Sequence, residues 1–551
     1  MTLKNTTDRY YLIFVCLAFI TLIIGLGSYG LAESSEARYA EISREMFLLG
    51  DYLNPQLLGI FHFHKPPLTY YITTLGYSIF GINEFGARFF LQIAVAIQLL
   101  LVYGLANLLF RKKRIAFISG VIYFSMPIVL ISSRNLTTDA FLTTFIMVAL
   151  YCWQYYANKG KLLFLYLFYL FLGLAILTKG PVAILFVLVY IITYKIIFKV
   201  SFKINIHHII GFVVCLMIGA SWFVLVMIEN QKLWNYFIEK QIAGRMTGGS
   251  FGERSKPFWY FIPILIGLIL PWLIGSVPNF IRKFIHIYKS KNESLILLVS
   301  SILLVFLFSS FSTKLILYIL PIFWMLAIFI AKQLDSIDEK SNKYINIAYL
   351  IILSIIFIGL LICWYFDFEF IHIETLAIIT TFLLTIFSFL AYYLIDNDKN
   401  YKAAVVAAIF GVALLLISST VLRSNSSLIN STRQMTDYIN NISKSKLKTI
   451  LVYDYLLTSI PFYSDARYIT LKSNHKTTDR EVQFQNDDEW KKQLWDINKD
   501  GVRAELLILS NKPNTFLLIR DKSTLDNNLK FLNNAFKHRK EYSKWTILYN
   551  K

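Results

Sequence analysis

Charge is what this sequence has least of. Asp, Glu, Lys and Arg make up 16% of its 551 residues, against 56% hydrophobic. Soluble domains carry about 25% charged and roughly 45–50% apolar residues, so an ordinary water-soluble core is excluded. Cysteine is scarce too. The four, Cys16, Cys152, Cys215 and Cys363, all fall in long apolar runs, which excludes a disulfide framework or a thiolate metal site in a soluble segment. Acidic residues are the minority charge, 34 against 54 basic, leaving a net +20. The basic residues are scattered through short loops and the C-terminal tail rather than along one stripe, so a nucleic-acid partner is excluded. No internal repeat and no low-complexity linker is visible. The first apolar stretch, about residues 11–30, lacks a small-x-small cleavage site and reads as an uncleaved span.

What the chain does have is apolar runs of about 20 residues, long enough to cross a bilayer core as helices. About thirteen spans are expected, beginning near 11, 88, 115, 138, 163, 181, 208, 259, 294, 315, 344, 373 and 403. Basic clusters at Arg111–Arg114, Lys159 with Lys161, Lys195–Lys203, Arg282–Lys291 and Lys332–Lys343 occupy alternate loops. They therefore share one side, and the positive-inside rule makes it the cytoplasm. Two long loops fall on the other side, at about 32–87 and 228–258. From about 424 the composition turns soluble, with strands expected at Thr449–Tyr453, Tyr468–Leu471, Leu506–Leu509, Phe516–Ile519 and Trp545–Tyr549. The expected organisation is a polytopic α-helical membrane domain over 1–423 and a small α/β domain over 424–551 on the outer face.

The candidate chemistry lies on that outer side. Ser34 or Ser35 can cap a helix with Glu in its first turn. Tyr39, Ile42, Met46 and Phe47 then share one face, with Arg38, Glu41, Arg44 and Glu45 mostly on another. One reading is an amphipathic helix lying on the membrane. The sharper one makes Glu33 and Glu36, where the first span ends, candidate catalytic carboxylates. Lys65, ahead of Pro66 and Pro67, is held extended near the bilayer, suited to a lipid phosphate. His62 and His64 point the same way in an extended segment, either as a metal pair or as structural hydrogen-bonding groups. Asp139, Lys179, and Lys314 with Tyr318 stand at span ends, where a charge is either a snorkelling anchor or a functional group. As a set they describe a phosphate-binding cavity that contains an acid. Arg245 and Arg254 flank a glycine-rich stretch of the second loop, which reads either as a gate contacting phosphates or as a mobile surface loop.

The run Glu36-Ala37-Arg38-Tyr39-Ala40-Glu41-Ile42-Ser43-Arg44-Glu45-Met46, followed by Gly50-Asp51, Leu57-Leu58-Gly59 and Lys65-Pro66, resembles the first periplasmic loop of the aminoarabinose (4-amino-4-deoxy-L-arabinose) lipid A transferases. These sit among the protein-mannosyltransferase-like glycosyltransferases of the GT-C fold. The likeness continues at Thr178-Lys179-Gly180, Pro257-Phe258-Trp259-Tyr260, Leu270-Pro271-Trp272, and Lys314-Leu315 with Tyr318. It implies thirteen spans, a periplasmic α/β tail, and inverting transfer from an undecaprenyl-phosphate-linked sugar. It also implies that Arg38, Lys65, Lys179 and Tyr318 hold the lipid phosphate with Lys314 nearby, and that Asp139 orients the acceptor or takes its proton. Two departures stand out. Where the family has an Asp-Glu pair this chain has Ser35-Glu36, which puts Glu33 forward as the replacement carboxylate. A family acid reads His64 and a family histidine aligns with Arg254, so the ligand positions of a divalent metal are altered and no cofactor is certain.

The expectation is an inner-membrane glycosyltransferase with its active site in the periplasm, taking a polyprenyl-phosphate sugar donor and lipid A or a related surface glycolipid as acceptor. A protein acceptor is the alternative within the same fold, and a transporter is the rival from another class. Transporters place ionisable groups near the bilayer midplane and show inverted repeats. Here the charges crowd one interface.

Overall fold

The computed structural model describes residues 6–201, 203–243, 255–290, 292–335, 339–395, 399–445 and 447–550. Packing divides the chain into two units. One comprises Met1–Leu26 and Arg88–Val421, the other Gly27–Ala87 and Leu422–Lys551.

The first unit is helical. Among the described residues of the chain, nine helices are long and apolar enough to cross a membrane. Three bent pairs, each counted as one span, raise this to twelve, and the shorter apolar helix Val182–Phe198 stands where the remaining expected span begins. The chain is a multi-pass membrane protein. Two of the three bends have a proline at the break. Pro127 follows Met126 at the 60° break between Lys113–Ser125 and Pro127–Arg134, and Pro271 stands at the 110° break between Phe258–Ile269 and Trp272–Arg282. Proline has no N–H for the helical ladder and its ring clashes with the preceding turn. Ser125, at the first break, accepts the Trp272 indole N–H at 3.0 Å. Helices Leu162–Lys179 and Ile206–Gly219 approach closely because Gly211 faces the Tyr169 ring, where an added Cβ would lie 2.2 Å from it. Helix Glu339–Phe366 exposes Ile351, Ile355, Ile358 and Ile362 along one face, a stripe suited to lipid.

Gln98 shows how a polar side chain inside this bundle is matched by its neighbours. The Gln98 amide donates to Ala140 O and Thr144 Oγ1, each at 2.9 Å, and its carbonyl accepts from the Tyr123 hydroxyl at 2.9 Å. Hydrocarbon offers no water to replace such partners.

The second unit is an α/β structure made from two distant stretches of sequence. A short antiparallel hairpin, β1 (Gln56–Leu57) and β2 (Ile60–Phe61), lies between helices Ser35–Leu49 and Leu68–Phe80. The tail contributes β3 (Thr449–Tyr453), β4 (Arg467–Lys472), β5 (Leu494–Asp496), β6 (Thr515–Arg520), β7 (His538–Tyr542) and β8 (Trp545–Asn550). They form one sheet in the order β5-β4-β3-β6-β8-β7, parallel from β5 to β6 and antiparallel beyond. Its two faces bury separate clusters. Leu451, Leu471 and Leu517 pack with Leu506, Leu509 and Leu532. Ile450, Val452, Phe516 and Leu518 pack with Ile42, Met46, Leu57, Leu58 and Tyr70 from the first loop.

Two expectations are corrected here. Leu506–Leu509 is not a strand but the middle of helix Val502–Ser510, because four apolar residues in a row carry no period to separate the two. Helix Ser35–Leu49 does not turn all its charges outward, as an amphipathic surface helix would. Glu36 and Glu41 are buried within the unit, with Ile42 and Met46 in the sheet-facing cluster.

Candidate active site

In the first unit three spans bring Asp139, Lys179 and Tyr318 together. Thr137 caps the helix Thr138–Lys159 and places Asp139 in its first turn. Lys179 ends the helix Leu162–Lys179, which Gly180 closes with a φ of 87°, followed by Pro181. The Lys179 ammonium ion-pairs with the Asp139 carboxylate, and the two side chains are 9% and 8% exposed. The same ammonium lies 4.4 Å from the centroid of the Tyr318 ring. A cation held between a carboxylate and an aromatic face has a fixed position, which a flexible surface lysine lacks.

Lys314, expected near the donor phosphate, is engaged by backbone carbonyls. Its ammonium donates to Lys256 O at 2.8 Å and to Phe311 O. Lys256 N–H donates to Ser312 O at 3.1 Å, and Ser255 bridges Thr313. Lys314 thus fastens the end of the second loop, and burial draws its pKa below the ordinary lysine value. Arg245 and Arg254 lie outside the described residues.

In the second unit the first loop and the tail build a charged cluster. Glu33, put forward as a replacement carboxylate, has both oxygens occupied. Oε1 accepts from Ser459 N–H at 2.7 Å and Ser459 Oγ at 2.6 Å, and Oε2 from Thr458 Oγ1 at 2.9 Å. Desolvation raises its pKa despite these bonds and the nearby Arg38. Its geometry is that of a strut tying the first loop to the tail. Glu36 is buried, and its Oε2 accepts the Ala32 N–H at 2.8 Å. That bond satisfies a donor at the helix start, where Ser34 makes no side-chain cap. Arg38, two residues on, acts electrostatically on Glu33 and His62. Lys65 is half-buried, two residues before the Pro67 that begins helix Leu68–Phe80.

His62 and His64 do point the same way, their ring centroids 3.9 Å apart. The surroundings do not suit a metal. His64 Nε2 is 2.9 Å from Glu481 Oε2, and no group of three or more His, Cys, Asp or Glu side chains fit to hold a metal occurs among the described residues. Burial lowers the pKa of His62 strongly, and His64, Arg38 and Arg480 lower it further. Two guanidinium groups nearby oppose a bound cation.

The tail residues here, Thr458, Ser459, Arg480 and Glu481, were not singled out from the sequence. Arg480 donates to Leu57 O at 2.5 Å and holds the β1–β2 hairpin, while Glu45 accepts the Leu58 and Gly59 N–H groups at 2.5 and 3.0 Å. Nothing local to 479–481 announces a partner more than 400 residues away.

Comparison with known proteins gives this arrangement a context. The family model described as dolichyl-phosphate-mannose-protein mannosyltransferase matches residues 64–224. An undecaprenyl phosphate-alpha-4-amino-4-deoxy-L-arabinose arabinosyl transferase of Proteus mirabilis is 29% identical over 357 residues, covering 63% of this chain and 64% of its own. One from Aeromonas salmonicida is 31% identical over 313 residues, covering 56% and 57%. These matches span a little under two thirds of the relatives' length. The crystal structure of ArnT from Cupriavidus metallidurans bound to undecaprenyl phosphate superposes with a TM-score of 0.79 at 20% identity, covering 99% of this chain and 98% of that one. The chain therefore has the GT-C fold that its first-loop residues implied, and the resemblance holds in family model, sequence and fold.

Proposed function

We propose that this chain is an inner-membrane glycosyltransferase. It moves a pentose of the aminoarabinose type, or a related sugar, from undecaprenyl phosphate to lipid A or a similar glycolipid on the periplasmic face. The observation that carries the reading is the Asp139–Lys179–Tyr318 constellation at the ends of three spans, in a chain whose relatives are named for an undecaprenyl-phosphate-linked sugar. The outward placement rests on the alternate basic loops, which mark the opposite side as cytoplasmic.

The chemistry follows from charge. An acceptor oxygen attacks the anomeric carbon as the bond from that carbon to the phosphate oxygen breaks, and where the acceptor is a hydroxyl its proton passes to the Glu36 carboxylate. The bonding electrons leave with the lipid phosphate, which gains negative charge. Fixed cations at that phosphate lower the barrier because they act most strongly on the charge that develops. Lys179, Tyr318, Arg38 and Lys65 are assigned to the donor phosphate. Asp139 holds the Lys179 ammonium in place, and Glu36 is the carboxylate assigned to the acceptor. Lys314 contributes by seating the second loop, whose Arg245 and Arg254 are assigned to phosphate contacts.

Mass spectrometry of lipid A and of polyprenyl-phosphate sugars, from cells with and without the gene, tests the reading. Loss of a sugar increment from lipid A with accumulation of the lipid-linked donor is expected, and Lys179→Met should fail to restore it. The family model's description keeps a protein acceptor as the second reading, for which donor accumulates while lipid A stays unchanged. No change in either pool, with the protein expressed, would sink both.

A further inference from the structure

The membrane unit has a polar cavity at the end of the bundle that carries the basic loops. Its volume is about 580 Å³, within the roughly 300–1,000 Å³ of ligand pockets. Asn158, on its wall, lies five turns along helix Thr138–Lys159 from Asp139, or about 28 Å at 1.5 Å per residue. The cavity is therefore separate from the Asp139–Lys179 constellation.

The basic run Arg111–Arg114 shows what is distinctive about it. Lys112 pairs with Asp335 at 3.2 Å, Lys113 with Asp8 at 2.6 Å, and Arg114 lies over the Tyr401 ring. Arg111 instead follows helix Glu84–Phe110 in a left-handed conformation and lines the cavity. Glu293 lines it too, in the first turn of a helix whose capping is done by the Asn292 side chain. Neither Arg111 nor Glu293 has an ion-pair partner among the described residues. Gln154 donates to Asn158 Oδ1 at 3.2 Å and accepts from Tyr190. The Asn158 amide nitrogen remains as a donor, and Tyr194 lines the same cavity. Phe110 and Phe198 supply an apolar wall.

We propose that this cavity binds the headgroup of a zwitterionic phospholipid with a primary ammonium. Arg111 and the Asn158 amide take the phosphodiester, Glu293 takes the ammonium, and the aromatic wall receives the start of the acyl chains. The two charges select the ligand. A purely anionic lipid meets Glu293 unfavourably, and a quaternary ammonium cannot donate a hydrogen bond to it. Such a lipid would bridge four helices at the end of the bundle away from the proposed chemistry.

The test is lipid retention by the full-length protein. After incubation with an equimolar mixture of dioleoyl phosphatidylethanolamine, phosphatidylcholine and phosphatidylglycerol, bound lipid is counted by native mass spectrometry during delipidation. The ethanolamine lipid should be retained about three- to fivefold over the choline lipid, the worth of one partly exposed charged contact. Glu293→Gln should abolish that preference, and Arg111→Gln should lower retention of all three lipids. Asn158→Asp, which sets a second carboxylate against the phosphate, should weaken retention in a protein that still elutes as a single species. Equal retention of the three lipids, or a preference that survives Glu293→Gln, would overturn the proposal. Millimolar free O-phosphoethanolamine should compete with the bound ethanolamine lipid, and an absence of any competition would count against headgroup recognition.

Discussion

Asp139 and Lys179 share an ion pair with less than a tenth of either side chain exposed, so removing one partner leaves the other charged and desolvated. Lys179→Met should destabilise the protein by about 3–5 kcal/mol. Adding Asp139→Asn should recover much of that loss, because the orphaned carboxylate is then gone. A double-mutant cycle by thermal unfolding in detergent measures the coupling, and simple additivity would refute it. Glu41 makes a different case. It is fully buried 2.8 Å from Arg44, yet desolvation raises its pKa to about 8. Between the ordinary value of 4.5 and about 8 the folded state then binds more protons than the unfolded one. By linkage, stability must fall as pH rises through that window. Glu33 and Glu45 are shifted in the same direction and add to the trend. Unfolding of the full chain followed from pH 5 to 8 should show this decline, and Glu41→Gln should flatten it. That Asp139 and Lys179 each stand at the end of an apolar run is legible in the sequence. That they pair is not, because 40 residues and a tight turn separate them.

The helices and hairpins carry their own test. Gly59 turns the β1–β2 hairpin with a φ of 65°, and an added Cβ would lie 2.9 Å from the Gln493 side chain. Gly59→Ala should cost more than about 1 kcal/mol, from the left-handed backbone and the displaced side chain together. Faster limited proteolysis of the first loop would report it, and an unchanged cleavage rate would count against the contact. At this scale the spans are legible because nearly all are long apolar runs that a bilayer explains. The tail strands are legible where β-branched and aromatic residues alternate with turn signals, as at Thr449–Tyr453 and Trp545–Asn550. They fail where the segment is short or wholly polar. Strand β5 has three residues, and β7, His538–Tyr542, is solvent-facing along most of its length. Each forms only because a neighbouring strand offers a ladder.

At the level of the whole molecule, the second unit joins Gly27–Ala87 to Leu422–Lys551, a pairing that no local pattern announces. One face of the tail sheet is closed by Ile42, Met46, Leu57, Leu58 and Tyr70 from the first loop. Burying such side chains contributes about 1.5–3 kcal/mol each, which is comparable in sum to the whole stability of a small domain. Residues 422–551 expressed alone should therefore be unfolded or molten, and co-expression with 27–87 should restore a cooperative transition by circular dichroism. A cooperative transition in the isolated tail would show that the first loop is dispensable to it.

That shared core also sets a clock. At about 5–20 residues per second, the ribosome takes roughly 20 to 70 seconds to travel from Ala87 to Leu422, the gap between the two stretches of the second unit. Through that interval helix Ser35–Leu49 must wait with Ile42 and Met46 uncovered while twelve further spans enter the membrane. Strand β8, which lies between β6 and β7, is made later still. The first loop is therefore made early and completes its core late, once the tail strands that cover it exist.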